Sequence, residues 1–201
     1  MMLPLLLTLA LLTPSPDPWD TGLGRSDNAC LGFLFEVTFM KIDVAEMEAW
    51  LDDDTAAAVA AARAEGKDLE DRVAEIMLGA DNLVFRMEIA RDGDLSKLRR
   101  GMGKNLEKAV QQGLIDAEGQ QKVLDGLAAL MDPLGDRKAM EGDVILYHIT
   151  PEAVRMAYFD TEGRVLQEQT FTDPAWPAGI KGVFLTQGSK FRKKWGRSLK
   201  D

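Results

Sequence analysis

The sequence predicts an α+β protein in which an antiparallel sheet is covered on one face by helices. Period-two and 3.6-residue patterns follow one another as strand, helices, strand, helices, strands, helices, without the regular βα alternation of a parallel sheet. The chain has 201 residues, 46% of them hydrophobic and 28% charged, enough for one sizeable core without disulfide staples. Its single cysteine, Cys30, excludes an internal disulfide and any multi-cysteine zinc or iron–sulfur site, and reads as a small buried side chain.

Met1 to Leu12 contains only Met, Leu, Pro, Thr and Ala, and the prolines at 14, 16 and 18 break any helix that follows. A membrane span needs roughly 20 apolar residues, so this run suits instead the apolar region of a secretory signal. No basic residue precedes it and no A-x-A site follows. Residues 1–16 are read as a signal-like segment and 17–201 as a single domain, which places the mature protein in the periplasm or outside the cell.

Phe33, Phe35, Val37 and Phe39 share one parity, and Met40, Ile42 and Val44 the other. That slip predicts a bulge or bend in one long strand, or a break between two. Asp52-Asp53-Asp54-Thr55 opens an Ala-rich helix to Ala64, the acids complementing the helix dipole rather than holding a cation. A second helix is predicted over 69–78. Leu83, Phe85, Met87 and Ile89 then alternate as a strand. Apolar spacing predicts helices over 94–112 and 116–131, stopped by Asp132-Pro133-Leu134-Gly135-Asp136. A meander follows over 143–150, 153–159 and 164–172, with a turn at Asp160-Thr161-Glu162-Gly163. Two short helices, within 174–186 and over 189–199, close the domain.

The net charge of −9 argues against general nucleic-acid binding, which needs a basic footprint. It is unevenly spread: residues 1–90 carry 6 basic and 17 acidic side chains, and residues 91–201 carry 18 and 16. Ser189 to Lys200 holds six basic residues and no acid, with Phe191, Trp195 and Leu199 spaced four apart. Such a helix either docks by its apolar stripe or contacts an anionic membrane or partner.

Gly101-Met102-Gly103-Lys104-Asn105 is not a phosphate loop, because Leu98 and Asn105 stand where that motif needs glycine and Ser or Thr. His148 is the only histidine, so a histidine-pair metal site is impossible, and neither a metal nor another cofactor is expected. No serine sits in a nucleophile elbow. Lys97, Arg99, Arg100, Lys104 and Lys108 read either as an anion-steering surface or as a solvated helix face.

The stretch 35–44, Gly142-Asp143 ahead of Val144-Ile145-Leu146-Tyr147, the turn at 160–163, Ile180 to Leu185 and the basic stretch ending in Ser198-Leu199 resemble the chalcone isomerase-like family, here in the guise of a bacterial, exported member. The resemblance spans roughly 31 to 199. It implies an open-faced sandwich with a ligand cleft between sheet and helices. It further implies a ligand-binding set of Arg25 for an anion, Thr38 on the early strand and Asn105 on the helix after the next strand. The tyrosine expected early on that helix has no counterpart, Leu95 and Leu98 occupying the region, while Tyr147 and Tyr158 lie on late strands. Without that oxyanion donor, cyclisation of a chalcone is not expected. The resemblance therefore implies a non-catalytic domain that binds a fatty acid or other small amphipathic anion. Two alternatives stand beside it: an isomerase or lyase acting through Arg25 and Thr38 on an enone-type substrate, and a protein that meets membrane or partner through residues 189–200.

Overall fold

In the computed structural model, which describes residues 17–26, 29–37 and 42–199, the chain forms β1 (Cys30–Val37), β2 (Ile42–Leu51), α1 (Asp53–Glu65), α2 (Leu69–Gly79), β3 (Leu83–Ile89), α3 (Leu95–Gln111), α4 (Ala117–Met131), β4 (Val144–Ile149), β5 (Val154–Phe159), β6 (Val165–Phe171), α5 (Ala175–Leu185) and α6 (Lys190–Arg197). Helices begin where a short polar side chain can take up a backbone N–H that the first turn leaves unpaired. Asp52, Asp94, Asp116 and Ser189 accept from the amides of Thr55, Ser96, Gly119 and Phe191 at α1, α3, α4 and α6. The aspartates at 52–54 thus cap and charge α1, as their position predicts.

The early β region forms two strands, β1 and β2, paired with a register shift between Phe35 and Glu36, while the parity slip at Phe39-Met40 lies outside the described residues. Residues 45–51, not anticipated as strand, complete β2. All six strands pair antiparallel in chain order, β1 to β6. One face, presenting Phe85, Met87, Ile145, Tyr147, Met156 and Tyr158, meets all the larger helices and forms the main core. On the other face Trp50, Val84, Leu146, Ala157 and Phe159 form a second cluster, closed by Leu23 with Trp19 at its margin. Residues 17–24 therefore strap the face that the helices leave open.

The last helix docks by its apolar stripe. Phe191 stacks on Phe35 with ring centroids 4.3 Å apart, and Trp195 meets Phe33 edge-on at 4.5 Å. A Cβ added at Gly196 would stand 2.4 Å from both Glu70 Cα and Leu69 O, so only glycine lets α6 cross α2 this closely. Arg192, buried, donates to Asp71 Oδ1 and to the Leu185 carbonyl, each at 2.8 Å, and Arg197 donates to Glu70 Oε1 at 2.9 Å. Arg192 and Arg197 of α6 and the acids of α2 are thus partners across one helix pair.

Candidate functional site

Asn105 is buried on α3, where its amide donates to the Val183 carbonyl at 2.9 Å and, at 3.4 Å, to Ser189 Oγ. Lys108, one turn on, donates to Asn105 Oδ1 and to the Gly188 carbonyl. Asn105 therefore ties α3 to the junction of α5 and α6. Arg25 lies at the end of the strap on the opposite side of the sheet, exposed and ion-paired with Asp20. The structure does not bring Arg25 and Asn105 together: residues 17–24 run over the helix-free face, while the asparagine belongs to the helix layer. Thr38, the third expected residue, lies outside the described residues.

What the structure does assemble is a groove between α3 and α4. Its deeper end, about 490 Å³, is lined by Asp94, Leu95, Ser96, Arg99, Met131, Asp132 and residues 135–138. Its shallower end, about 540 Å³, shares Ser96, Arg99 and Asp132 and extends along Arg100, Gly103, Lys104, Leu124 and Ala128. α3 and α4 each pack against α5, Ala109 closing on Gly182 and Val123 on Gly179, and the groove is the outer seam between them, where Gly103 and Ala128 carry little side chain. Leu95, Leu124, Ala128 and Met131 contribute apolar lining, and around them stand the basic side chains of Arg99, Arg100, Lys104, Arg137 and Lys138 together with the acidic ones of Asp94, Glu107, Asp132 and Asp136. The sequence motif at 101–105 is interior helix on this seam. Of the basic residues that read either as a steering surface or as a solvated face, Arg99, Arg100 and Lys104 line the groove; Arg99 is paired there with Asp132.

Arg137 leads from the groove to the sheet. Its guanidinium grips Asp143 through both Nη atoms, Nη2 meeting Oδ1 at 2.8 Å, and lies 5.6 Å from the Tyr158 ring centroid. Tyr158 Oη donates to Asp143 Oδ2 at 2.8 Å and the Met140 amide donates to the same oxygen at 2.7 Å. Burial pushes the Asp143 carboxyl up, but the Arg137 bonds, the Met140 amide and the Tyr158 phenol outweigh it and hold the group below its ordinary value. Burial, reinforced by the carboxylate it serves, pushes the Tyr158 phenol well up, so it stays a proton donor. Tyr147, pushed up by burial in the same way, directs its hydroxyl at Met102 Sδ, 3.7 Å away.

Both late tyrosines therefore face the helix layer, which the sequence left open. Arg137 and Tyr158 were not singled out as site residues, since neither loop position nor strand parity marks them as partners. The signal was present in Gly142-Asp143, read only as a fold marker. His148, on the strapped face, bonds Asn82 Oδ1 at 2.8 Å, with the Trp19 ring 6.4 Å off, which is a structural role. Cys30 is half-buried beside Glu48 and Arg86; burial first, then Glu48, pushes its thiol up to about 12, which leaves it unreactive near neutral pH. Among the described residues no group of His, Cys, Asp and Glu is arranged to hold a metal ion.

No protein-family profile and no curated protein matches the sequence. The shape of the chain, however, is similar to that of the fatty-acid binding protein AtFAP1 of Arabidopsis thaliana, with a TM-score of 0.54 at 11% identity, covering 87% of this chain and 89% of the plant protein. The fold is the chalcone isomerase-like sandwich. At that identity the likeness concerns architecture alone.

Proposed function

We propose that this protein is a non-catalytic binder of a small amphipathic anion of the fatty-acid type, working outside the cytoplasm, with the α3–α4 groove as its site. The observation that carries the reading is the pairing of apolar lining at Leu124 and Ala128 with the exposed cations Arg100 and Lys104 in one groove. An acyl chain gains by covering the half-buried Leu124 and Ala128, and an anionic head by meeting Arg100, Lys104 or Lys138. The fatty-acid binding named for the similar plant protein agrees with this ligand class. Catalysis is disfavoured because the groups best suited to acid–base work, Asp143 and Tyr158, are committed to one another and to Arg137. The apolar run at 1–12 supports export.

The test is calorimetric titration of delipidated protein with dodecanoate. Saturable binding is expected, weakened about tenfold in the double variant Arg100→Glu, Lys104→Glu. No binding of fatty acids of any chain length would overturn the reading. Intact-mass measurement of exported protein checks the location: the first dozen residues should be missing, and their retention in a cytoplasmic product would place the protein elsewhere.

A further inference from the structure

Asp143 is completely buried, and both of its carboxylate oxygens are engaged: the guanidinium fork of Arg137, the phenol of Tyr158 and the amide of Met140 all point donors at it. That donor set, a planar cation with a phenol and a backbone N–H, has the geometry that recognises any carboxylate. Arg137 also lines the deep end of the groove, so the residue that grips Asp143 borders the space a ligand would enter. It is filled from the turn before β4, where Gly142, with φ of 88°, delivers the side chain inward.

We propose that Asp143 is a specificity-determining residue: it is a built-in carboxylate that occupies the Arg137–Tyr158–Met140 receptor and denies it to the head of an incoming ligand. The proposal rests on the groove being the ligand site. A fatty acid in the groove must then present its carboxylate to the outer cations, Arg99, Arg100, Lys104 and Lys138, where it is solvated and salt-sensitive. An uncharged ligand of the same length loses little by comparison, so the natural protein discriminates weakly between acid and alcohol heads. Removing the Asp143 carboxylate reverses this, because the emptied receptor then needs an anion to satisfy Arg137 and Tyr158.

The experiment replaces Asp143 by alanine in the full chain and supplies sodium formate against sodium chloride at equal ionic strength. If D143A folds in chloride, formate should raise its melting temperature saturably, by about 3–6 °C at ten times its dissociation constant, and leave the natural protein unmoved. If D143A is unfolded in chloride, formate should restore its folded circular-dichroism spectrum. Adding Tyr158→Phe should weaken either response. A variant that behaves identically in formate and chloride, folded or unfolded, overturns the proposal. In the same variant dodecanoate affinity should rise about tenfold while dodecanol affinity stays constant. Formate rescue without binding of either long-chain probe would leave the receptor established and refute the groove reading alone.

Discussion

The molecule carries two basic helices and uses them in opposite ways. On α6, Arg192 and Arg197 close onto Asp71, Glu75 and Glu70 of α2, and Lys194 donates to the Leu34 carbonyl, so cationic side chains hold the helix against its neighbours. On α3, Lys108 is bound to the Gly188 carbonyl, and Arg99 to Asp132, but Arg100 and Lys104 stand exposed along a groove. Charge matched by a neighbouring helix serves the fold, and charge left at the rim of an apolar seam is available to a ligand. The net charge of the chain distinguishes none of this, because the same residue types supply both.

The comparison breaks most readily at Arg192. Asp71 and Glu75 are largely exposed and can return to water, but Arg192→Ala orphans the buried side of the Leu185 carbonyl and empties a packed position. A loss of about 2–4 kcal/mol is expected in urea denaturation, with ligand binding by the folded protein retained. Gly196→Ala attacks the same contact sterically: the added methyl meets α2 backbone, which must shift, at a cost of about 1–3 kcal/mol. Unchanged stability in either variant would mean that α6 is not held by this crossing.

Acid separates the two regions in a graded way. The folded-state pKa of Asp143 lies below its unfolded value, so between the two the unfolded chain binds more protons and stability rises with pH. Its contribution is complete above the ordinary aspartate range, about 4, and is lost as the pH falls through the folded value. Urea midpoints between pH 3 and 6 should therefore fall on acidification, and D143N should flatten that slope. The smallest effect on stability is expected from the double variant Arg100→Glu, Lys104→Glu: its denaturation midpoint should match the natural protein's, while its dodecanoate affinity drops and loses salt dependence. A marked loss of stability there would show that α3's charges brace the fold as those of α6 do.

The strands and helices were legible where physics is local. The aspartates at 52–54 mark the start of α1, apolar spacing marks α3 and α4, and the turn at 160–163 marks the β5–β6 hairpin. Residues 45–51 were not legible as strand, because Ala45, Glu46, Glu48 and Ala49 have little β preference, and their strand form comes from pairing with β1 and β3. The site was largely illegible for the same reason. Gly103 and Leu124, or Arg137 and Tyr158, meet only after the chain has folded. The family resemblance assigns Arg25 to the anion, but the strap carries it to the face opposite Asn105.

The docking of α6 on β1 has a kinetic meaning as well. Phe33 and Phe35 have their ring partners, Trp195 and Phe191, some 160 residues later, whereas each strand finds its sheet neighbour in the next strand along. A nascent chain can therefore pair β1 with β2 early, yet leaves an aromatic surface on its first strand unsealed until α6 has been synthesised. Throughout that interval the emerging polypeptide is a substrate for whatever recognises unburied aromatic side chains, be it a holding chaperone or a translocation machine, and closure comes as a single late event.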